Sequence, residues 1–392
     1  MAADPLAFLD QQLQQLESQG LRTRPRVLDG EQLPVAVFDG RRVINLSSNN
    51  YLGLTTHPAL RSAAERAVRE LGVGSGAVRT ITGTMRQHVE LEARIARFKQ
   101  TEAAIVFQSG FTANAGVVAA VLGREDTIVS DELNHASIID GARLSRAAIK
   151  VFPHRDAAAA GRLLDEVKTG RKLLITDGVF SMDGDIAPLP QLCDVAERHG
   201  AIMMVDDAHA SGVLGRNGRG TVDHFGLHGR VHIQVGTLSK AIGALGGYIC
   251  GTHSLIEWLQ LRGRPFLFST SHPPAVTAAC LAAFDVLENE PGRIERLWSN
   301  TRRFKQGLEA AGFDTGASET PITPVMVGEG RRAMEFSRAL YAAGVLATGI
   351  AYPTVPEGKA RLRTIVTAAH TEADLDEALA IFRRVGREQG II

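Results

Sequence analysis

The stretch Ile202-Met203-Met204-Val205-Asp206-Asp207-Ala208-His209 decides the fold. Four large apolar residues in a row, closed by two acids, lack the alternation of a half-exposed strand. They fit a short strand covered on both faces. Similar runs recur at 103–107, 127–129, 149–152, 172–176 and 233–235. Helical stretches lie between most of them, at 111–122, 136–146, 157–168 and 189–199. Strands and helices alternating in this way predict an α/β domain, a mostly parallel sheet with helices on both faces.

Outward from that core, 58–71 carries Leu60, Ala63, Ala64, Ala67, Val68 and Leu71 at helical spacing. Thr84 and Gln87 read as a capping box that opens a helix running to about Phe98. Residues 1–20 place Leu6, Leu9, Leu13 and Leu16 on one helical stripe. Beyond 285 the texture changes. Charged helices at 292–311, 330–343 and 372–386 alternate with strands at 322–327 and 362–366, which predicts a smaller α+β domain. The expected organisation is an N-terminal helix and arm at 1–45, a large domain at 46–288 and a small domain at 289–392.

Among 392 residues, 43 Lys+Arg balance 43 Asp+Glu, so there is no basic excess to hold nucleic acid. With 44% apolar and 22% charged residues, disorder is excluded. The longest clean apolar stretch, 115–122, falls well short of the ~20 residues of a membrane helix. The first sixteen residues lack the layout of a signal peptide. Cys193, Cys250 and Cys280 are too far apart for a metal or disulfide framework and read as buried thiols in a reducing cytoplasm. Gly72-Val73-Gly74-Ser75-Gly76 follows a helix rather than a strand, the wrong context for a dinucleotide loop. Walker A, His-Glu-x-x-His and Gly-x-Ser-x-Gly patterns are absent, and the histidines are scattered without metal-site spacing.

Ligands in open α/β sheets sit outside the carboxyl ends of the strands. Four segments fall there. Phe107-Gln108-Ser109-Gly110-Phe111-Thr112-Ala113-Asn114 links a strand to a helix, whose free N–H groups suit a phosphate, although such turns often only cap. Asp206-Asp207 fits a solvated cap as well as a buried acid. Gly236-Thr237-Leu238-Ser239-Lys240 ends in a lysine that alone reads as a surface residue, yet in a desolvated pocket forms Schiff bases. Asn134-His135-Ala136-Ser137 offers a ring that alone reads as a helix cap. Together they describe a pyridoxal 5'-phosphate (PLP) site, which needs a lysine amine, an acid for the ring nitrogen and donors for the phosphate.

On these residues the chain resembles the α-oxoamine synthases, fold-type I PLP-dependent transferases that join an amino acid to an acyl-CoA. The resemblance runs from Asn49-Asn50-Tyr51-Leu52-Gly53-Leu54 to Thr367-Ala368-Ala369-His370-Thr371 and includes Pro353-Thr354-Val355-Pro356. It implies the following roles. Lys240 carries the cofactor and acts as the base, Asp206 pairs with the ring nitrogen, His209 bonds the ring hydroxyl, and His135 stacks on the ring. Gly110, Phe111 and Thr237 bind phosphate, joined by Ser269 and Thr270 from the second subunit of a homodimer, and Ser181 lines the pocket. Arg363 holds the amino acid's carboxylate, and Asn50 and Thr354 line the substrate site. Asp177 stands where some relatives have glutamate.

Asn49-Asn50-Tyr51, Val78-Arg79-Thr80-Ile81-Thr82-Gly83-Thr84, Ser137-Ile138-Ile139-Asp140-Gly141 and Arg264-Pro265-Phe266-Leu267-Phe268-Ser269-Thr270-Ser271 look most like the glycine C-acetyltransferase (2-amino-3-ketobutyrate CoA ligase) branch. That branch implies glycine and acetyl-CoA as substrates, in threonine breakdown. The 8-amino-7-oxononanoate synthase branch, which joins alanine to a pimeloyl thioester in biotin synthesis, comes next, with dual activity as a further reading; the serine palmitoyltransferase and 5-aminolevulinate synthase branches rank below. A PLP aminotransferase and a non-catalytic subunit are the readings from other classes; the presence of Lys240 speaks against the second.

Overall fold

The protein is described by a computed structural model over residues 4–392. Its contacts divide it into a larger unit, Asn49–Ser181 with Asp185–Arg296, and a smaller one, residues 4–48 with Met182–Gly184 and Leu297–Ile392.

The larger unit is built on a seven-stranded sheet. Its spatial order is Ala103–Phe107, Gly247–Gly251, Ile233–Thr237, Ile202–Asp206, Lys172–Asp177, Thr127–Asp131 and Ala148–Phe152. All neighbours are parallel except Gly247–Gly251, which runs against both of its partners. Alternate side chains leave opposite faces of a strand, and both faces are covered here. Ile128, Leu173, Met204 and Ile233 pack with Ala113, Val117, Ile138 and Leu259 from helices on one side. Val129, Leu174, Met203 and Val205 pack with Ala160, Leu164, Leu192 and Val195 on the other.

The sequence predicts six of these strands. The seventh, Gly247–Gly251, is bracketed by glycines, which mask a strand pattern. The helix expected after Thr84 is present as Arg86–Lys99, but its cap differs. His88 Nδ1 accepts the Met85 N–H at 3.0 Å, while the Thr84 hydroxyl turns back to the Arg79 carbonyl at 2.6 Å.

In the smaller unit, Val35–Phe38 and Arg41–Asn45 form a hairpin across Asp39-Gly40, both at positive φ (48° and 73°), as the favoured two-residue turns require. Val345–Leu346 adds to it in parallel, with Val345 opposite Ile44. That pairing places residues of the N-terminal arm in one unit with the C-terminal segment. A second sheet orders Ile322–Gly328, Ala360–Ile365 and Thr348–Ile350. Phe304, Phe313, Phe336 and Phe382 meet in its core, at centroid distances of 5.9–6.1 Å. The expected N-terminal helix forms at Ala7–Ser18, but Leu6, Leu9, Leu13 and Leu16 remain exposed; the first three residues of the expected span lie outside the described ones.

Candidate active site

The parallel strands bring their carboxyl ends to one edge of the sheet. Asp177 stands opposite Asp206, and Asp206 opposite Val235. Asp206 is buried. Its Oδ2 accepts the Asn114 amide at 2.6 Å and its Oδ1 accepts the Ala208 N–H at 2.8 Å. Both donors are neutral, so among the described residues no ammonium or guanidinium is bonded to this carboxylate. A buried anion in that state suits a cationic ligand group such as a protonated ring nitrogen.

Asp207 does something else. It pairs with Lys99 at 2.7 Å, with both side chains fully buried, and accepts the Thr221 N–H at 3.1 Å. Burial disfavours the Lys99 ammonium, but Asp207 more than reverses this and raises the lysine pKa. Of the two acids at the strand end, one belongs to the site and the other to the core.

His135 caps the helix Ala136–Ser145, as the plainer reading has it, and is an exposed residue. Its N–H is held by Asp177 Oδ2 at 2.8 Å, and the Asp177 N–H is held by Asn134 Oδ1 at 2.7 Å. Asp177 thus anchors the turn that presents His135, a job a short acid performs without a glutamate's reach. Burial first, then the Asp206 charge beside it, pushes the Asp177 carboxyl well above its usual range; Lys240 works against that shift. Desolvation lowers the pKa of His135; Asp206 opposes this and Lys240 adds to it. Lys240, half-buried beyond Ile233–Thr237, is therefore near enough to act on both groups.

His209 Nδ1 shares a 2.7 Å hydrogen bond with the Tyr51 hydroxyl, and the two rings meet edge to face. Asn50, next in the chain, turns its Oδ1 to the Thr55 N–H at 3.3 Å.

The helix Gly110–Val121 starts with a reciprocal cap, in which Ser109 accepts the Thr112 N–H at 3.1 Å and Thr112 Oγ1 accepts the Ser109 N–H at 2.9 Å. The first-turn N–H groups of Gly110 and Phe111 have no acceptor within the helix, which leaves an anion-binding end. A Cβ on Gly110 would lie 3.6 Å from Thr237 Cβ, so this helix end abuts the end of the lysine-bearing strand. Thr237 Oγ1 bonds the Gly246 carbonyl at 2.8 Å and Ser239 Oγ at 2.7 Å. Ser269 closes the short helix Arg264–Phe268, and Thr270 bridges to Val78 and receives the Gln108 amide on its carbonyl at 2.8 Å. Ser181 ends the first segment of this unit and is half-buried.

Lys240, Asp206, His209, His135, Gly110, Phe111, Thr237, Ser181, Ser269, Thr270 and Asn50 all fall in the larger unit. Thr354 and Arg363 fall in the smaller one. There Thr354 is exposed in the turn after Pro353, and Arg363 sits mid-strand opposite Pro324 and Thr348. The donor set fits PLP: an uncompensated buried acid, a lysine amine, an exposed histidine and a helix N-terminus. Two further contributors have no role in the sequence reading, Asn114 and Tyr51. Asn114 is the one polar side chain in the run Ala113–Val118, which is a usable signal; Tyr51 is buried like any core aromatic and gives none.

The family model for aminotransferase class I and II matches residues 41–382. An 8-amino-7-oxononanoate synthase of Symbiobacterium thermophilum is 60% identical over 98% of this chain and 99% of that protein. One from Thermoanaerobacter pseudethanolicus is 57% identical over 99% and 98%. Among solved structures, a serine palmitoyltransferase of Sphingomonas wittichii superposes with a TM-score of 0.95 at 34% identity, covering 100% of both chains. An SPT solved with PLP gives 0.94 at 34% identity, covering 99% of each. The motifs put the glycine C-acetyltransferase branch first, whereas the two relatives at 60% and 57% identity carry the 8-amino-7-oxononanoate synthase name. The physical reason is that the residues behind that choice were motif matches with no assigned acyl contact, and cofactor chemistry is common to both branches.

Proposed function

Because the chain belongs to the class I and II aminotransferase family and is a PLP-dependent α-oxoamine synthase of the acyltransferase type, we propose that it is an 8-amino-7-oxononanoate synthase acting in biotin synthesis. It would join alanine to a pimeloyl thioester, with release of the thiol and carbon dioxide. The observation that carries this is the 60% identity over nearly the whole length of both chains. Shared chemistry alone does not separate the branches.

PLP supplies an electrophilic carbon for the amine and a ring that accepts the electron pair left when a Cα bond breaks. The chain's residues do the rest. Asp206 would hold the ring N–H, and a carboxylate so placed favours the protonated ring by about 1–3 pKa units. His135 covers one ring face, and His209, steadied by Tyr51, faces the ring hydroxyl. The N–H groups of Gly110 and Phe111, with Thr237, take the phosphate, and Ser181 lines the pocket. Lys240 Nζ would be the amine that holds the cofactor and the base that moves the proton at the substrate Cα. Arg363 is the guanidinium for the amino acid's carboxylate, with Asn50 and Thr354 as substrate contacts. Ser269 and Thr270 serve the phosphate of a second copy, which makes the protein a homodimer. Cys193, Cys250 and Cys280 are separate buried thiols, in keeping with a cytoplasmic location.

The test is thiol release by the holoenzyme with alanine plus pimeloyl-CoA against glycine plus acetyl-CoA. We expect kcat/KM to favour the first pair by about tenfold or more. Preference for glycine and acetyl-CoA would return the protein to the acetyltransferase branch.

A further inference from the structure

We propose that Asn114 is a positioning residue that sets two cofactor contacts at once, Asp206 at the ring nitrogen and, through Ser137, the stacking ring of His135. The inference rests on the PLP reading of the site. Asn114 lies four residues into Gly110–Val121 and is completely buried. Its Nδ2 donates one hydrogen to Asp206 Oδ2 at 2.6 Å and the other to Ser137 Oγ at 2.9 Å. Ser137 Oγ lies 2.7 Å from His135 Nδ1, and the Ser137 N–H reaches the same nitrogen at 3.2 Å.

The directions in this chain are forced. A carboxylate only accepts, so Nδ2 rather than Oδ1 of Asn114 faces Asp206. The Ser137 N–H donates to His135 Nδ1, so that nitrogen is an acceptor, and the Ser137 hydroxyl, which accepts from Asn114, turns its own hydrogen to it. With Nδ1 accepting from both Ser137 donors, the His135 proton resides on Nε2. One amide thereby ties the orientation of the acid to the tautomer and tilt of the histidine. Asn114 Oδ1 is buried with no partner. Leaving a buried carbonyl unsatisfied is unfavourable, so this amide's place is not explained by its own hydrogen bonding alone. Its helix is also locked in depth. A Cβ on Gly141 would lie 2.8 Å from the Asn114 carbonyl oxygen, so the two helices meet at backbone contact and Asn114 has no room to withdraw.

The test compares Asn114→Ala, Asn114→Leu and Ser137→Ala with the unaltered protein. The readouts are the PLP dissociation constant of the apoprotein, the visible circular dichroism of the bound cofactor, and kcat and KM for the amino acid. Leucine fills the same volume without donors. Positioning predicts that Asn114→Leu and Asn114→Ala both weaken PLP binding by about tenfold and lower kcat by about ten- to a hundredfold, with KM moving less than about twofold. Ser137→Ala is expected to change the dichroism and lower kcat by a few-fold, and to leave the PLP constant within about twofold, because the Asp206 bond survives. Asn114→Leu matching the unaltered protein in all readouts, or Ser137→Ala weakening PLP as much as Asn114→Ala, would overturn the proposal. If the unaltered protein bound no PLP through Lys240, the reading of the site would fail instead.

Discussion

Asp206 and Asp207 are neighbours in the chain and bond to opposite sides of the sheet. Asp206 meets Asn114 at 2.6 Å, and Asp207 meets Lys99 at 2.7 Å. Strand alternation alone produces this split. It turns a symmetric-looking pair of acids into one group held by a neutral donor and another matched to a cation. Only the first leaves its charge for a ligand to answer.

The two acids should therefore fail differently. Lys99→Met leaves Asp207 charged and buried with no cation, and breaking a buried pair in this way costs about 3–5 kcal/mol. Denaturant unfolding is expected to show that loss. Asp206→Asn should leave the unfolding midpoint close to normal but lower kcat by about ten- to a thousandfold, the effect of losing 1–3 pKa units at the ring nitrogen. Equal stability losses in both variants would contradict the division of roles.

Two glycines beside the phosphate end make a second contrast. A Cβ on Gly247 would lie 2.2 Å from the Ser109 carbonyl oxygen and 2.5 Å from the Gly110 nitrogen. The corresponding atom on Gly110 meets nothing closer than 3.6 Å. Gly247→Ala must push the helix start away, so PLP affinity should fall by about tenfold or more, together with thermal stability. Gly110→Ala should fold normally, and any effect it has should appear in the PLP dissociation constant alone. A Gly247→Ala protein with normal affinity would remove the close approach from the account.

Much of this arrangement was legible beforehand. The apolar runs at 172–176, 202–205 and 233–235 are buried on both faces, so hydrophobicity alone located them and their carboxyl ends. Lys240, Asp206 and His135 stand at or just beyond such ends, where their residue types suit the proposed chemistry. The hairpin at Asp39-Gly40 also carries a sequence signal, an Asp-Gly between apolar runs. Tyr51 and Gly247 were not legible, because their roles depend on groups far away in sequence, His209 and Ser109. The separation of Asp206 from Asp207 needed Lys99, 108 positions before Asp207.

The proposed sharing of sites between two copies of the chain predicts complementation. Lys240→Ala spoils a chain's own site but leaves its Ser269 and Thr270 intact for a partner. A chain carrying Ser269→Ala with Thr270→Ala has the reverse defect. Unfolded together and refolded as an equal mixture, half the dimers should be mixed and each should hold one complete site, giving about a quarter of the normal activity. Activity no higher than the mean of the two separate variants would show that Ser269 and Thr270 do not serve a neighbouring site.

Two histidines bound the pH range of stability from opposite sides. His154 lies between Asp131 at 3.0 Å and Asp185 at 2.8 Å. Burial disfavours its charge, but these two carboxylates outweigh burial and raise its pKa to about 9. The folded state then binds a proton that the unfolded state, at about 6.5, has lost. That contribution is complete below about pH 6.5 and disappears as pH rises to about 9. His272 is the reverse. Burial first, then the His88 and Arg79 charges, lowers its pKa to about 4. Its contribution is present above about pH 6.5 and is lost as pH falls toward 4, where the unfolded chain takes up a proton that the folded one refuses. Thermal midpoints measured across this range should fall at both ends. His154→Gln should flatten the alkaline limb and leave the acid limb intact, and His272→Leu should do the opposite. If either substitution shifted both limbs equally, the two histidines would not be the separate titrating groups that their surroundings make them.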